Sequence, residues 1–325
     1  ATTEIYTLSL HDALPISITQ LLVCLLGIIL NGIVMFTIFR NKHRRISAQT
    51  YLIFSIAVSD FLSCASAVPL SIAKYFLKEW PFGKAGCQAY AFLIFFLTLV
   101  SITHLACISA GKYLTITRSL SRDSYFNTKK VLLIILASWI FSLCFSLAPL
   151  VGWSGYGLEG TNITCSIKWH SSHPTDKAYF GVVIFTCYLL PLAVIMFCYF
   201  KIHKVSKHII QNTHQMSGLA MTATQVLLKK HRKSAMYFLA IIAAFVIPWT
   251  PYITIASLLV LGKLINPVAI SASKVFAKVS FFLNPMLYAI FHRRFRRRFI
   301  LSVPRSRRVV VSPIGLPSVS RTLAL

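Results

Sequence analysis

An all-α membrane fold, a bundle of seven transmembrane helices, is predicted by three observations on this 325-residue chain. Hydrophobic residues make up 56% of it and charged residues only 12%, so its length counts in membrane spans rather than soluble domains. Apolar segments long enough to cross a bilayer recur at residues 18–39, 51–76, 85–116, 131–151, 178–202, 235–261 and 265–291. The 33 basic residues, against 7 acidic ones, gather in alternate gaps between these segments.

That charge pattern sets the orientation. Arg40 to Arg45, Arg118 to Lys130, Lys201 to Lys233 and Arg293 to Arg308 hold nearly all the basic side chains. The positive-inside rule makes those stretches cytoplasmic, with the N-terminus outside and the C-terminus inside an integral protein of the plasma membrane. The +26 charge is therefore a topological signal. Nucleic-acid binding is not expected, because most aromatic residues lie in the apolar spans rather than beside the basic ones. Interrupted segments recurring in two halves, the mark of an inverted-repeat transporter, are not seen, nor is a polar stripe repeated around a pore.

Before the first span, residues 1–16 (ATTEIYTLSLHDALPI) have neither the basic start nor the apolar core of a secretory signal. The string resembles the translation of a short-read sequencing adapter and is set aside as non-native, with the membrane domain expected over residues 17–291. Six of the eight cysteines (Cys24, Cys64, Cys107, Cys144, Cys187, Cys198) fall inside spans as small packing residues. Cys87 opens the third span and Cys165 follows the fourth, both on the oxidising side, so a disulfide between them is expected. Asn162-Ile163-Thr164 is a glycosylation sequon on that same side. Zinc, P-loop and nucleophile-elbow patterns are absent from the sequence, and the ten histidines show no metal-ligand spacing.

The seventh span carries Lys278, six residues before Asn284-Pro285-Met286-Leu287-Tyr288. A lysine at a membrane-helix centre costs roughly 2.5–3.5 kcal/mol and lies too far from either end to snorkel, so it faces an enclosed site. An amine kept from water is a good nucleophile towards an aldehyde, the chemistry of a Schiff base. The alternative is a lysine paired within a polar core. Lys274 lies one helical turn earlier on nearly the same face, closer to the outside, and competes for the same assignment.

Landmarks in each span extend this reading. Gly27 to Asn31, Asp60, Trp139, Pro191 with Tyr199, Trp249-Thr250-Pro251-Tyr252 and Asn284 to Tyr288 together resemble the rhodopsin class of G protein-coupled receptors. With Lys278 at this distance from the NPxxY run, the chain resembles the opsins, of the non-visual type that includes neuropsin, peropsin and retinochrome. The resemblance covers Ser17 to about Phe299. It implies retinal, 11-cis or all-trans, joined to Lys278, with Tyr90, Phe245, Trp249 and Tyr252 around it. It also implies a heterotrimeric G protein as partner, reached through Lys112, Tyr113, Tyr199, Asn284, Pro285 and Tyr288, and possible arrestin binding at the phosphorylatable tail.

Some of the carry-over rests on physical reasoning about single residues. Asp60 at mid-membrane needs polar partners, and Asn31, Ser101 and Asn284 are those expected nearby. The cluster reads either as a polar packing network or as a site for water or sodium. The position three residues after Cys87, which carries the counterion in vertebrate visual opsins, is Tyr90 here, so the counterion is expected at Glu159 in the loop before Cys165. A carboxylate paired with an iminium favours the protonated form and red-shifts absorption, while weak pairing leaves a neutral, ultraviolet-absorbing imine. Pro248 and Pro251 flank Trp249, so a kink is expected in the sixth span.

One departure bears on signalling. Where relatives have an acid, an arginine and a tyrosine, this chain has Gly111-Lys112-Tyr113. Lysine keeps the charge but lacks the planar, many-donor head of arginine, and Lys229 to Lys233 supply no acid opposite it. Three functions therefore stand in order: a light-sensing receptor that signals to a G protein, a retinal photoisomerase with little signalling, and a chemoreceptor of the same fold that takes no retinal. Only the second has an enzymatic character.

After the seventh span, Phe291, Phe295 and Phe299 recur every four residues among arginines, so residues 292–300 are expected as an amphipathic helix on anionic membrane lipid. Residues 301–325 are expected to be a disordered cytoplasmic tail.

Overall fold

The computed structural model of the chain describes residues 10–40, 48–67, 69, 72–73, 77, 80–117, 127–159, 164–169, 171, 173–213 and 219–291. Helices α1 (Leu10–Arg40), α2 (Ala48–Leu62), α3 (Gly83–Thr117) and α4 (Thr128–Leu147) come first. A hairpin of β1 (Tyr156–Glu159) and β2 (Thr164–Ile167) follows, then α5 (Pro174–Val183), α6 (Leu190–Thr213), α7 (Leu219–Val260), α8 (Pro267–Lys278) and α9 (Ser280–Phe291). The expected helix at 292–300, the tail at 301–325 and Asn162 lie outside the described residues. The first helix starts at Leu10, so it runs back into the segment set aside as non-native.

Among the described residues, five helical stretches are long and apolar enough to cross a membrane: Ile18–Arg40, Gly83–Thr115, Thr128–Leu150, Pro174–Val205 and Ile242–Val260. The second and seventh spans are not single continuous α-helices. A π turn over Ser63–Ala67 follows α2, and the seventh span is divided at Val279 into α8 and α9. A second π turn, Ile184–Leu189, joins α5 to α6 within the fifth span. Both π turns end two residues before a proline, Pro69 and Pro191. A proline ring clashes with the carbonyl four residues back and offers it no N–H, and a widened turn relieves both problems. Pro248 and Pro251, by contrast, sit inside the single helix α7.

Helix ends are closed by local chemistry. Asn127 Oδ1 accepts from Lys130 N at 2.9 Å to start α4, and Asn266 Oδ1 accepts from Val268 N at 2.8 Å to start α8, with Pro267 in the first turn. Gly262 (φ 76°) ends α7, where Lys263 N donates to Leu258 O and Gly262 N to Leu259 O, each at 3.0 Å. Such a reversal needs a left-handed residue, which glycine adopts without strain.

Helix α3 runs through the middle, packed against α2, α4, α6, α7 and both strands, while α1 closes the ring against α2, α8 and α9. Its inward face is buried at Leu97, Val100, Ser101, His104, Leu105 and Ile108. Large apolar side chains such as Ile29, Phe36, Leu133, Phe197 and Ile247 point outward, the arrangement a lipid environment selects. At Gly27, α1 and the π turn after α2 touch so closely that a Cβ would collide with Cys64 Sγ.

Candidate functional site

Lys278 is the last residue of α8 and is 4% exposed. Its Nζ lies 6.0 Å from the centre of the Tyr90 ring, within reach of a cation–π contact. The helix breaks immediately behind it, with tight turns from Val279 N to Phe276 O at 3.1 Å and from Phe282 N to Val279 O at 3.3 Å.

This amine opens into a cavity enclosed by α3, the fifth span, α7 and α8, with β2 across one side. Tyr90, Phe95, Trp169, Phe245, Trp249 and Tyr252 give it an aromatic wall. Phe245 stacks on Trp249 at 5.8 Å, and Trp249 meets Tyr252 edge-on at 6.1 Å. The sequence-derived set of Tyr90, Phe245, Trp249, Tyr252 and Lys278 thus surrounds one space.

The cavity's cover is built by the hairpin. Its strands are antiparallel, with Leu158 opposite Cys165 and Glu159 opposite Thr164, and Cys165 is bonded to Cys87 at the start of α3 with a Cα–Cα distance of 5.4 Å. The bridge fixes Cys165, Ser166 and Ile167 against the cavity. Beneath the hairpin, burial raises the pKa of the Tyr156 phenol, which donates to Ser146 O at 2.8 Å. Glu159 ends β1, but the position of its carboxylate lies outside the described residues.

Several residues at or next to the cavity had not been assigned to it from the sequence. Trp169, four residues after Cys165, donates its indole N–H to Tyr252 Oη at 2.9 Å and so ties the cover to α7. Tyr188 and Cys187 enter from the π turn. Ser280, two residues after Lys278, accepts a 3.0 Å bond from Trp249 Nε1 and donates to Ala277 O at 2.8 Å. An aromatic residue close behind the loop cysteine and a hydroxyl close behind the lysine were the available signals. Lys274, weighed as a rival to Lys278, is 8% exposed and lines the same cavity.

The polar cluster around Asp60 is close to its expected form, with one difference. Ser101 Oγ donates to Asp60 Oδ1 at 2.9 Å, and Asn284 Nδ2 donates to Oδ2 at 3.1 Å. Ser59 joins through its 2.9 Å contact with Ser101 Oγ. Asn31, however, spends its amide on two carbonyls, Gly27 O at 2.9 Å and Phe281 O at 2.8 Å. Among the described residues, Asn31 Oδ1 and Asn284 Oδ1 have no hydrogen-bond partner, and no group of three or more His, Cys, Asp or Glu side chains could hold a metal.

At the end of α3 opposite its disulfide, Tyr113 packs edge-on against Phe197 at 6.3 Å and Tyr199 Oη donates to Met236 Sδ at 3.3 Å. Lys112 is half-buried beside them, Pro285 is buried within α9, and the side chain of Tyr288 lies outside the described residues.

A family described as "7 transmembrane receptor (rhodopsin family)" matches residues 30–288. Melanopsin-B of Xenopus laevis is 31% identical over 290 residues, covering 88% of this chain and 54% of that protein. Melanopsin of Phodopus sungorus is 33% identical over 287 residues, covering 87% and 61% respectively. The chain thus spans little more than half the length of these curated relatives. The crystal structure of squid rhodopsin superimposes with a TM-score of 0.84 at 25% identity, covering 94% of this chain and 90% of that one.

Proposed function

Because the chain belongs to the rhodopsin family of seven-transmembrane receptors, as an opsin, we propose that it senses light through retinal joined to Lys278 and signals to a heterotrimeric G protein. The observation that carries this reading is the nearly buried Lys278 Nζ at the edge of an aromatic, almost wholly apolar cavity. An amine so placed fits an apolar aldehyde with a flat polyene, and little else in the cavity wall would recognise a polar ligand. When bound through its aldehyde carbon with loss of water, retinal supplies the absorption of light and the change of shape.

The chain's own residues supply the rest. Tyr90 and Trp249 bound the space beside Lys278, and the disulfide-fixed β2 with Trp169 excludes water from above. A push on Trp249 is passed to the α8–α9 break through Ser280, so the sixth and seventh spans respond together. Glu159 is the proposed counterion. The Asp60 cluster, with two unpartnered acceptors among the described residues, suits water or sodium between the spans. The basic loops face the cytoplasm of a plasma-membrane protein, and Lys112, Tyr113, Tyr199 and the Asn284 to Tyr288 run form the G protein side.

The experiment is an absorption spectrum of purified protein with 11-cis- and with all-trans-retinal, dark and illuminated, alongside Lys278→Ala. A light-sensitive band lost in that variant is expected; folded protein that forms no pigment with either isomer would return the chain to chemoreceptors. Gly111-Lys112-Tyr113 favours a second reading, a photoisomerase. Pigment that isomerises retinal yet triggers no nucleotide exchange on any G protein subtype would select it.

A further inference from the structure

Helix α3 presents Ala91, Ile94, Phe95, Thr98 and Ile102 to the chromophore cavity, the three-to-four-residue recurrence of one helix face. Thr98 is the polar member of this stripe. It is 7% exposed, and among the described residues its Oγ1 has no hydrogen-bond partner. Its neighbours on α3 behave differently: Thr103, Ser109 and Thr115 donate to the carbonyls of Leu99, Leu105 and Gly111 at 2.8, 2.9 and 2.7 Å, and Ser101 donates to Asp60. A helical threonine commonly satisfies its hydroxyl on its own helix in this way, and one buried without doing so carries a cost that a ligand oxygen can offset.

The other polar groups of the wall are engaged or stand elsewhere. Ser166 Oγ donates to Ile167 O at 3.0 Å, Tyr252 Oη accepts from Trp169, Tyr188 Oη meets Thr250 Oγ1 at 3.4 Å and Cys187 Sγ meets Thr186 Oγ1 at 3.5 Å. Tyr90 and Lys274 stand at the attachment end, the first with its ring centre 6.0 Å from Lys278 Nζ and the second one helical turn before Lys278. Thr98 follows Tyr90 by two turns of α3, about 12 Å along the axis. A long aldehyde fixed at Lys278 therefore brings its far end, not its imine, towards Thr98.

Resting on the reading that retinal is joined to Lys278, we propose that Thr98 determines which retinoid the cavity takes: its hydroxyl forms a hydrogen bond with a hydroxyl on the ring of the chromophore, so a ring-hydroxylated retinal is selected over the unsubstituted aldehyde. A threonine hydroxyl both donates and accepts, so either partner can supply the proton. Discrimination by such a site is strong, because an analogue that lacks the oxygen leaves the buried hydroxyl unpaired. The aromatic and aliphatic remainder of the wall packs the polyene whichever ring it carries. Imine formation at Lys278 is the same for both aldehydes.

The test is a competition in the dark, run to equilibrium, between retinal and either 3-hydroxyretinal or 4-hydroxyretinal in matched 11-cis and all-trans forms. It uses the purified full-length chain as wild type, Thr98→Val, Thr98→Ala and Thr98→Ser. Borohydride reduction and mass spectrometry of the peptide that carries Lys278 read the ratio of hydroxylated to plain adduct. With at least one of the two probes, the hydroxylated adduct should predominate in wild type. Its ratio should fall about fivefold or more in Thr98→Val or Thr98→Ala, whichever folds, and stay near the wild-type value in Thr98→Ser. Plain retinal as the major adduct against both probes would overturn the proposal, as would a ratio unmoved by the variants that remove the hydroxyl; either result leaves retinal on Lys278. A fall as large in Thr98→Ser as in Thr98→Val would overturn it too, giving the selection to the threonine methyl. Absence of any adduct on Lys278 with all three aldehydes would overturn the parent reading and this inference with it.

Discussion

Asn31 donates its side-chain amide to the carbonyl of Phe281 at 2.8 Å, across 250 residues of sequence. The reason lies four residues further on. Pro285 stands where an N–H would have closed the helix onto Phe281 O, and α1 supplies the donor that proline lacks.

Asn31→Ala should therefore leave a buried carbonyl unpaired within the membrane and lower stability by about 1–3 kcal/mol. Thermal unfolding in detergent checks this, and Asn31→Asp, which brings no amide donor to that carbonyl, should lose stability as well. A variant as stable as wild type would mean that water takes over the bond.

Trp169 governs the cover through its 2.9 Å bond to Tyr252. Trp169→Phe keeps a ring in place but deletes the donor, at a cost of about 1 kcal/mol, or roughly fivefold in an opening equilibrium. The dark pigment should react correspondingly faster with hydroxylamine, a small reagent that must enter the cavity. Tyr252→Phe should give the same increase, and the double variant no more than either alone.

The Cys87–Cys165 bridge closes 78 residues of chain and holds β2 on α3. Replacing both cysteines by alanine should lower stability by about 2–5 kcal/mol. The loss should be largest in the hairpin, so hydrogen exchange at Ser166 and Ile167 should rise before exchange in the inward face of α3 does. Equal exchange in both regions would show that the bridge acts on the whole fold and not on the cover.

Much of this was legible in the sequence because it depends on local counts. Span lengths, the alternation of basic gaps and the membrane cost of Lys278 are each read within about 20 residues of chain. Of the aromatic wall, Tyr90, Phe245, Trp249 and Tyr252 were named from the sequence, three of them on one helix, whereas Phe95, Trp169, Phe180 and Tyr188 were not. Trp169 was missed because nothing local marks a loop tryptophan as the partner of a tyrosine 83 residues later. Asn31 was assigned to Asp60 on polarity alone, and its actual partner depended on a proline in another helix.

Seven membrane crossings and an unusual lysine in the last of them follow from the order of residues alone. That Lys274 shares that lysine's cavity, that Ser280 receives Trp249 and that Asp60 lies 3.1 Å from Asn284 emerges only when the helices are packed together. Hydropathy and charge add up along the chain, whereas a hydrogen bond between residues 224 positions apart exists only after every intervening helix has been packed.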